Sequence, residues 1–146
     1  MSQLDETDKA VLGVLKANAR LSTREIARKS GVPAATVYKR MKRMEADGII
    51  KNYTVTLDNT KLGRETLAYI LVRTKPGANY DAMMTEISRR EEVEEVAAMA
   101  GDFDILLRIR SENMKGLDKF IFEYLRRFPD VSQTQTLMVF RSWKDG

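Results

Sequence analysis

The 146-residue chain contains no cysteine and no histidine. Without cysteine there is no disulfide framework and no thiolate metal site. Without histidine, the commonest general base and the commonest metal ligand are both missing. No nucleophile–base pair, glycine-rich phosphate loop or metal-ligand spacing takes their place, so neither an enzyme nor a cofactor is expected. No apolar run approaches the roughly 18 residues that a bilayer-spanning helix needs. The opening residues, MSQLDETDKA, are too acidic and polar for a signal peptide. The expected address is therefore the cytoplasm, with no membrane partner.

What the chain does have is an uneven charge distribution. Residues 1–64 hold 13 Lys/Arg against 7 Asp/Glu, a balance of +6. Residues 65–146 hold 12 against 14, a balance of −2. All of the excess basic charge lies in the first half, which suggests contact with nucleic acid there and a different task for the second half.

The first 50 residues are patterned as three helices. In LDETDKAVLGVLKAN, the apolar residues Leu4, Val11, Leu12 and Leu15 recur at helical spacing, and Asp5 is a suitable N-cap with Asp8 three residues on. In LSTREIARKSG, Ser22 and Glu25 have the capping-box spacing, and Gly31 supplies the stop. Pro33 opens the third helix, Val37, Met41 and Met44 form its inward stripe, and Gly48 ends it. Two short helices joined by the tight turn KSGVPA have the helix-turn-helix arrangement, at about residues 23–42. The cations of YKRMKR taken alone fit the wet face of any amphipathic helix. Their place on the second helix of such a pair makes them candidate DNA contacts.

The β-branched alternation of IIKNYTVTLD, residues 49–58, predicts a strand, and NTKLGRET a linker. This gives a first domain over 1–63 and a second over 64–146. The second alternates as βαββαβ, the ferredoxin-like plan. Its helices are expected at NYDAMMTEISRRE, with Tyr80, Met84 and Ile87 inward, and at NMKGLDKFIFEYLRRF, with Leu117, Phe120, Ile121, Tyr124, Leu125 and Phe128 on one stripe. The last strand is VSQTQTLMVFRSW. The fold class is thus α+β. Its strands at 67–72, 105–107 and 137–140 are apolar on consecutive residues. Both sheet faces then need cover, and a second copy of the chain is the simplest source, giving a homodimer or larger assembly.

The chain as a whole resembles the Lrp/AsnC, or feast/famine, transcription regulators of prokaryotes. The resemblance rests on LDETDKAVLGVLKANARLSTREIARKSG, TVYKRMKRMEADGIIKNYTVTLD, the LG at 62–63 and AGDFDILLRI, in that order. It implies an amino-acid-sensing second domain and dimers that assemble into octamers or similar rings. It differs at Pro33, where such proteins often have Ser. It differs also at Met41 and Met44, where branched aliphatics are usual, and at Phe103, where Tyr is common. Siroheme decarboxylases resemble the same family, but histidine is thought to matter in them and this chain has none.

In a helix-turn-helix the second helix enters the major groove by its N-terminal end. Ala34, Ala35, Thr36, Tyr38 and Lys39 are therefore candidates for base edges or the groove rim, and Lys42 and Arg43 for backbone phosphate. Ser22, Thr23 and Arg24 open the preceding helix, whose free N–H groups favour a phosphate. Arg40 is either partly structural or paired on the surface with Glu25 or Glu45. The expected partner is double-stranded DNA carrying an imperfect palindrome, with the protein associated with the nucleoid.

Gly101, Asp102, Phe103 and Asp104 have the chemistry of a hairpin turn. The resemblance implies that this loop also lies near an effector at dimer–dimer contacts. Exposed N–H groups around Gly101 suit a carboxylate, and Asp102 or Asp104 an amine. Thr134, Gln135 and Thr136, polar residues in an apolar strand, are the remaining effector candidates. Ser132 shares a face with the two threonines.

Overall fold

The computed structural model describes residues 3–144. The chain divides into two compact units, Met1–Thr56 and Leu57–Gly146. The division falls seven residues before the boundary expected at 63. Residues 58–64 fold back on themselves within the second unit: the N–H of Arg64 donates to the Asn59 carbonyl at 2.8 Å and that of Gly63 to Thr60 at 3.0 Å.

The first unit contains α1 (Glu6–Ala17), α2 (Thr23–Ser30) and α3 (Ala34–Ala46). The expected N-cap at Asp5 and the expected capping box at Ser22–Glu25 both form, and the first is also a full capping box. The Asp8 N–H donates to the Asp5 carboxylate at 2.9 Å, and the Asp5 N–H to the Asp8 carboxylate at 3.1 Å. Around α2, the Ser22 N–H donates to Glu25 at 2.7 Å, and the Glu25 N–H to the Ser22 hydroxyl at 3.3 Å. Gly31 closes α2 at φ 73°, a conformation that would strain an L side chain. Pro33 stands at the cap position, one residue before the helix, and has no side chain with which to cap α3. Val11, Leu15, Ile26, Val37 and Met44 make the core of the unit.

Asp8 is fully buried beside that core. A buried carboxylate must be paired. Two arginines of α3 do this: Arg40 Nη1 lies 3.2 Å from Asp8 and 2.5 Å from Asp5, and Arg43 Nη2 also contacts Asp8. For Arg40 this is the structural role, one of the two alternatives expected; for Arg43 it departs from the phosphate contact expected. Arg40 pairs with neither Glu25 nor Glu45, and Arg43 spends its charge inside the unit rather than on the outer face of α3. Hydrogen bonds from the Asp8 N–H and then from Arg40 hold the Asp5 carboxyl below its ordinary range.

Residues 49–58 were expected as a strand, but none of them pairs with another strand among the described residues. Val55 is 73% exposed and Leu57 55% exposed. A strand exists only against a partner, and none of the described residues supplies one. Tyr53 in this stretch donates its hydroxyl to Glu45 at 2.8 Å. Burial, followed by this bond and the Glu45 charge, pushes its phenol up to about 12.

The second unit contains β1 (Thr66–Thr74), α4 (Tyr80–Ser88), β2 (Val93–Ala98), β3 (Ile105–Ser111), α5 (Met114–Lys119) and β4 (Val131–Met138). The sheet order is β2-β3-β1-β4 with every pair antiparallel, as the ferredoxin-like plan requires. After α5 the helix widens into a π-turn at Phe120–Tyr124 and tightens into a 3₁₀ turn at Leu125–Arg127. Met83 and Ile87 are the buried residues of α4, whereas Tyr80 and Met84 are only half-buried. β4 stops at Met138, short of the expected end, and Phe140 and Trp143 beyond it are exposed.

Ala68, Ile70, Val72, Ile105, Leu107 and Ile109 face the helices and form the core. The opposite face is less uniformly apolar than the sequence suggests. Leu67, Tyr69, Leu71 and Leu106 share it with Arg108 and Arg110. Glu94 of β2 pairs with both arginines, at 2.7 Å and 2.6 Å.

Two outcomes test this description. Asp8→Ala should destabilise the first unit by about 3 kcal/mol, the low end for breaking a buried pair, because the arginines left behind retain some solvent. Arg43→Met should cost less, since Arg40 still serves Asp8; denaturant unfolding of both variants checks the order. In a spectrophotometric titration of the wild type, Tyr53 should ionise near pH 12. Tyr53→Phe should remove that step, and Glu45→Gln should move it down. Because the folded phenol is raised, its stabilising effect is complete below about pH 10 and disappears as the pH passes through about 12.

Candidate nucleic-acid interface and effector loop

With Val37 and Met44 turned into the core and Arg40 and Arg43 drawn toward α1, the outer face of α3 is fixed. It presents Ala35, Tyr38, Lys39 and Lys42 to solvent, with Ala34 and Thr36 half-buried beside them. Tyr38 is 57% exposed. Lys42 Nζ stands 5.7 Å from the centre of the Tyr38 ring and 3.5 Å from Glu45, so it is only loosely held. Lys39 has no ion pair among the described residues. Small residues at the N-terminal end of α3, then an aromatic ring and two lysines, make a surface that can approach a nucleic-acid groove closely and reach its rim.

At the start of α2, Arg24 is exposed and Thr23 half-buried. The Ser22 hydroxyl is already used: it donates to Glu25 at 2.8 Å and accepts from the Glu25 N–H. The Ser22 N–H and hydroxyl hold the Glu25 carboxyl below its ordinary range, so a full negative charge stays beside Ser22 at neutral pH. Of the three residues at this end, Arg24 is the one whose charge is available to a phosphate. The sequence expectation missed the Asp5–Asp8 side of the arrangement. Its signal was the pair of acids in the α1 capping box, which also serve as partners for two cations on another helix.

In the second unit, residues 99–104 join β2 to β3. Gly101 adopts φ 145°, open to glycine and strained for other residues, although nothing lies within 4 Å of where a Cβ would be. Asp104 is fully engaged. Its carboxylate accepts from the Thr74 N–H at 2.7 Å and the Thr74 hydroxyl at 3.1 Å, and also from Tyr80. These bonds, led by the Thr74 N–H, hold it below the ordinary carboxylate range. Asp104 thereby ties the loop to β1 and α4, which leaves it little capacity for a ligand amine.

Asp102 is different. Its side chain is exposed and pairs with nothing among the described residues. Its carbonyl accepts from Arg73 Nε at 2.8 Å, and Phe103 lies with its ring centre 5.1 Å from the Arg73 guanidinium. Arg73 Nη1 donates in turn to Gln133 at 3.1 Å. Register puts Gln135 opposite Leu71 and Gln133 opposite Arg73, on the face opposite the helices. Thr134 and Thr136 pair with Val72 and Ile70 and lie on the helix side. The three β4 candidates therefore do not converge: Gln135 shares the face of Arg73, and the two threonines do not. Arg73 was not foreseen, although a cation breaking the apolar run YILVRT at its loop end was a visible sign.

Among the described residues there is no helix long and apolar enough to cross a membrane, and no cluster of ligating side chains suited to a metal ion.

Comparison with known proteins agrees with this division of labour. Residues 4–51 match a winged helix-turn-helix DNA-binding domain, and residues 67–146 match the Lrp/AsnC ligand binding domain. An uncharacterized HTH-type transcriptional regulator of Pyrococcus furiosus is 37% identical, over 97% of this chain and 96% of that protein. The HTH-type transcriptional regulator FL11 of Pyrococcus horikoshii is 31% identical, over 97% and 93%. Among solved structures, LrpC of B. subtilis superposes with a TM-score of 0.87 at 29% identity, covering 99% of this chain and all of that one. A transcriptional regulator from Neisseria meningitidis, solved as a complex with L-Met, has the same fold, with a TM-score of 0.91 at 24% identity over 98% and 94% of the two chains. With both domains matched in order and relatives aligned along nearly their whole length, the chain belongs to the Lrp/AsnC family of transcriptional regulators, not to an enzyme family.

Proposed function

We propose that the protein is a dimeric, sequence-specific regulator that binds an imperfect palindrome and responds to an amino acid through the loop at 100–104. The observation that carries the DNA half is the outward row of α3. Thr36, Tyr38 and Lys39 meet base edges or the groove rim, with Ala34 and Ala35 allowing close approach. Lys42 and Arg24 hold phosphate. Arg43 contributes by fixing the helix rather than by touching DNA. A protein acting on DNA in this way works in the cytoplasm, at the nucleoid.

Two features support self-association. The sheet face opposite the helices keeps Leu71 and Leu106 half-buried and Leu137 exposed, on the same face as Arg108. The stretch at 49–58 has the alternation of a strand and no strand partner among the described residues. A second copy supplies cover for the first and pairing for the second. Two recognition helices then face half-sites about one helical turn apart, or a multiple of that. Assembly of dimers into an octamer or similar ring follows the family pattern. The effector reading is supported by the match of residues 67–146 to a ligand binding domain, and by the L-Met held by the Neisseria regulator of the same fold.

Footprinting and salt-dependent binding on the protein's own promoter separate these roles. Protection should appear at discrete sites; uniform coating would favour a non-specific architectural binder. Lys42→Ala should weaken binding to all sequences alike and lower the salt slope by about one unit. Thr36→Ala should relax preference at one base position, and equal loss on operator and random DNA would refute its reading role. Arg43→Gln should lower stability and leave the salt slope unchanged. Equilibrium sedimentation should give multiples of 16.7 kDa, and a species of that mass alone would end the dimer reading.

A further inference from the structure

Lys42 has two weak partners within the first unit. Its Nζ lies 3.5 Å from Glu45, three residues on, and 5.7 Å from the centre of the Tyr38 ring, one turn back. The first distance is long for a charge-assisted hydrogen bond, and the second is near the outer limit of a cation–π contact. The lysine side chain is 59% exposed, so water competes for its ammonium as well. A cation held this lightly exchanges its partners for a phosphate at little cost.

The carboxylate of Glu45 is divided between two donors. The Tyr53 hydroxyl donates to Oε1 at 2.8 Å, and Lys42 faces Oε2 at 3.5 Å. The short bond belongs to the tyrosine. The same order holds in the charge balance: the Tyr53 hydroxyl is the first cause of a Glu45 carboxyl held below its ordinary range, ahead of the Lys42 charge. The phenol itself is pushed up to about 12, so it keeps its proton and the bond persists at neutral pH. Tyr53 lies on the segment that follows α3, at 49–58, and not on the helix that carries Glu45 and Lys42. A residue outside the helix thus holds the acid that competes for a cation of its outward row.

We propose that Glu45 and Tyr53 together set how far Lys42 is available to DNA: Glu45 is an internal stand-in for phosphate, and Tyr53, by holding one oxygen of that carboxylate, keeps it from closing on the lysine. This rests on the phosphate role of Lys42 and adds two positioning residues that do not touch DNA themselves. A shift of the 49–58 segment that breaks the Tyr53–Glu45 bond returns both oxygens to Lys42 and weakens binding.

The test is titration of a random-sequence duplex with the full-length protein over a range of salt concentrations, since a phosphate contact acts on every sequence. Glu45→Gln should bind about two- to five-fold more tightly than wild type, and Tyr53→Phe about two- to five-fold more weakly, the range for an exposed ion pair. Tyr53→Phe should also have a shallower salt slope, by part of the unit lost in Lys42→Ala. In the Glu45→Gln background Tyr53→Phe should change nothing, and in the Lys42→Ala background neither substitution should. If circular dichroism shows one of the two variants unfolded, the other carries the comparison with Lys42→Ala. Folded Glu45→Gln and Tyr53→Phe proteins that bind as wild type does, or whose changes persist without Lys42, overturn the proposal and leave the phosphate role of Lys42 standing. A Lys42→Ala protein that binds as tightly as wild type removes that role, and this proposal with it.

Discussion

The arrangement of the DNA-binding unit depends on the single carboxylate of Asp8. It is fully buried, and burying a charge without a partner is among the costliest events in a protein interior. Asp8 avoids that cost by accepting from the Asp5 N–H across the start of α1 and by drawing Arg40 and Arg43 of α3 toward it. The same contacts that satisfy the carboxylate fix the rotation of α3 about its axis. Which cations of α3 face outward is decided by this pairing.

The second unit solves a comparable problem differently. One face of its sheet is sealed by α4 and α5, and the core there is wholly apolar. The other face sets leucines around Arg108, Glu94 and Arg110. Such a network has defined geometry and tolerates only a partner that complements it, whereas a purely greasy face would accept many. At one end of this face, Arg73 ties the loop at 100–104 to β4 through Gln133. The leucine-bearing face and the loop at 100–104 are therefore continuous through one strand, β1.

Much of the fold was legible because it is written in local chemistry. The capping boxes at Asp5–Asp8 and Ser22–Glu25, the left-handed Gly31 and the stripe from Leu117 to Leu125 depend on neighbours within a turn or two, and all of them formed. Errors arose where a distant partner decides the outcome. Arg43 was assigned from helical geometry, which says where a side chain starts and not which acid from another helix will meet it, and for the same reason helical geometry left Arg40 open between two roles. Residues 49–58 have strand chemistry and no strand, because pairing belongs to two segments and not to one. Met83 was passed over for Met84 because the apolar pattern of α4 admits either, and only packing against the sheet chooses between them.

The sequence by itself determined the helices of the first unit, the order of helices and strands in the second, the caps of α1 and α2 and the uneven charge. These follow from residue type and spacing, which act over a few residues. Only the tertiary structure decided which cations remain available, that Asp104 is occupied while Asp102 is not, that Gln135 parts from Thr134 and Thr136, and that Arg73 stands beside the loop. Each of these depends on strand register or on a charge brought from 30 or so residues away, and electrostatic pairing in a buried setting overrides what a position on a helix or strand suggests.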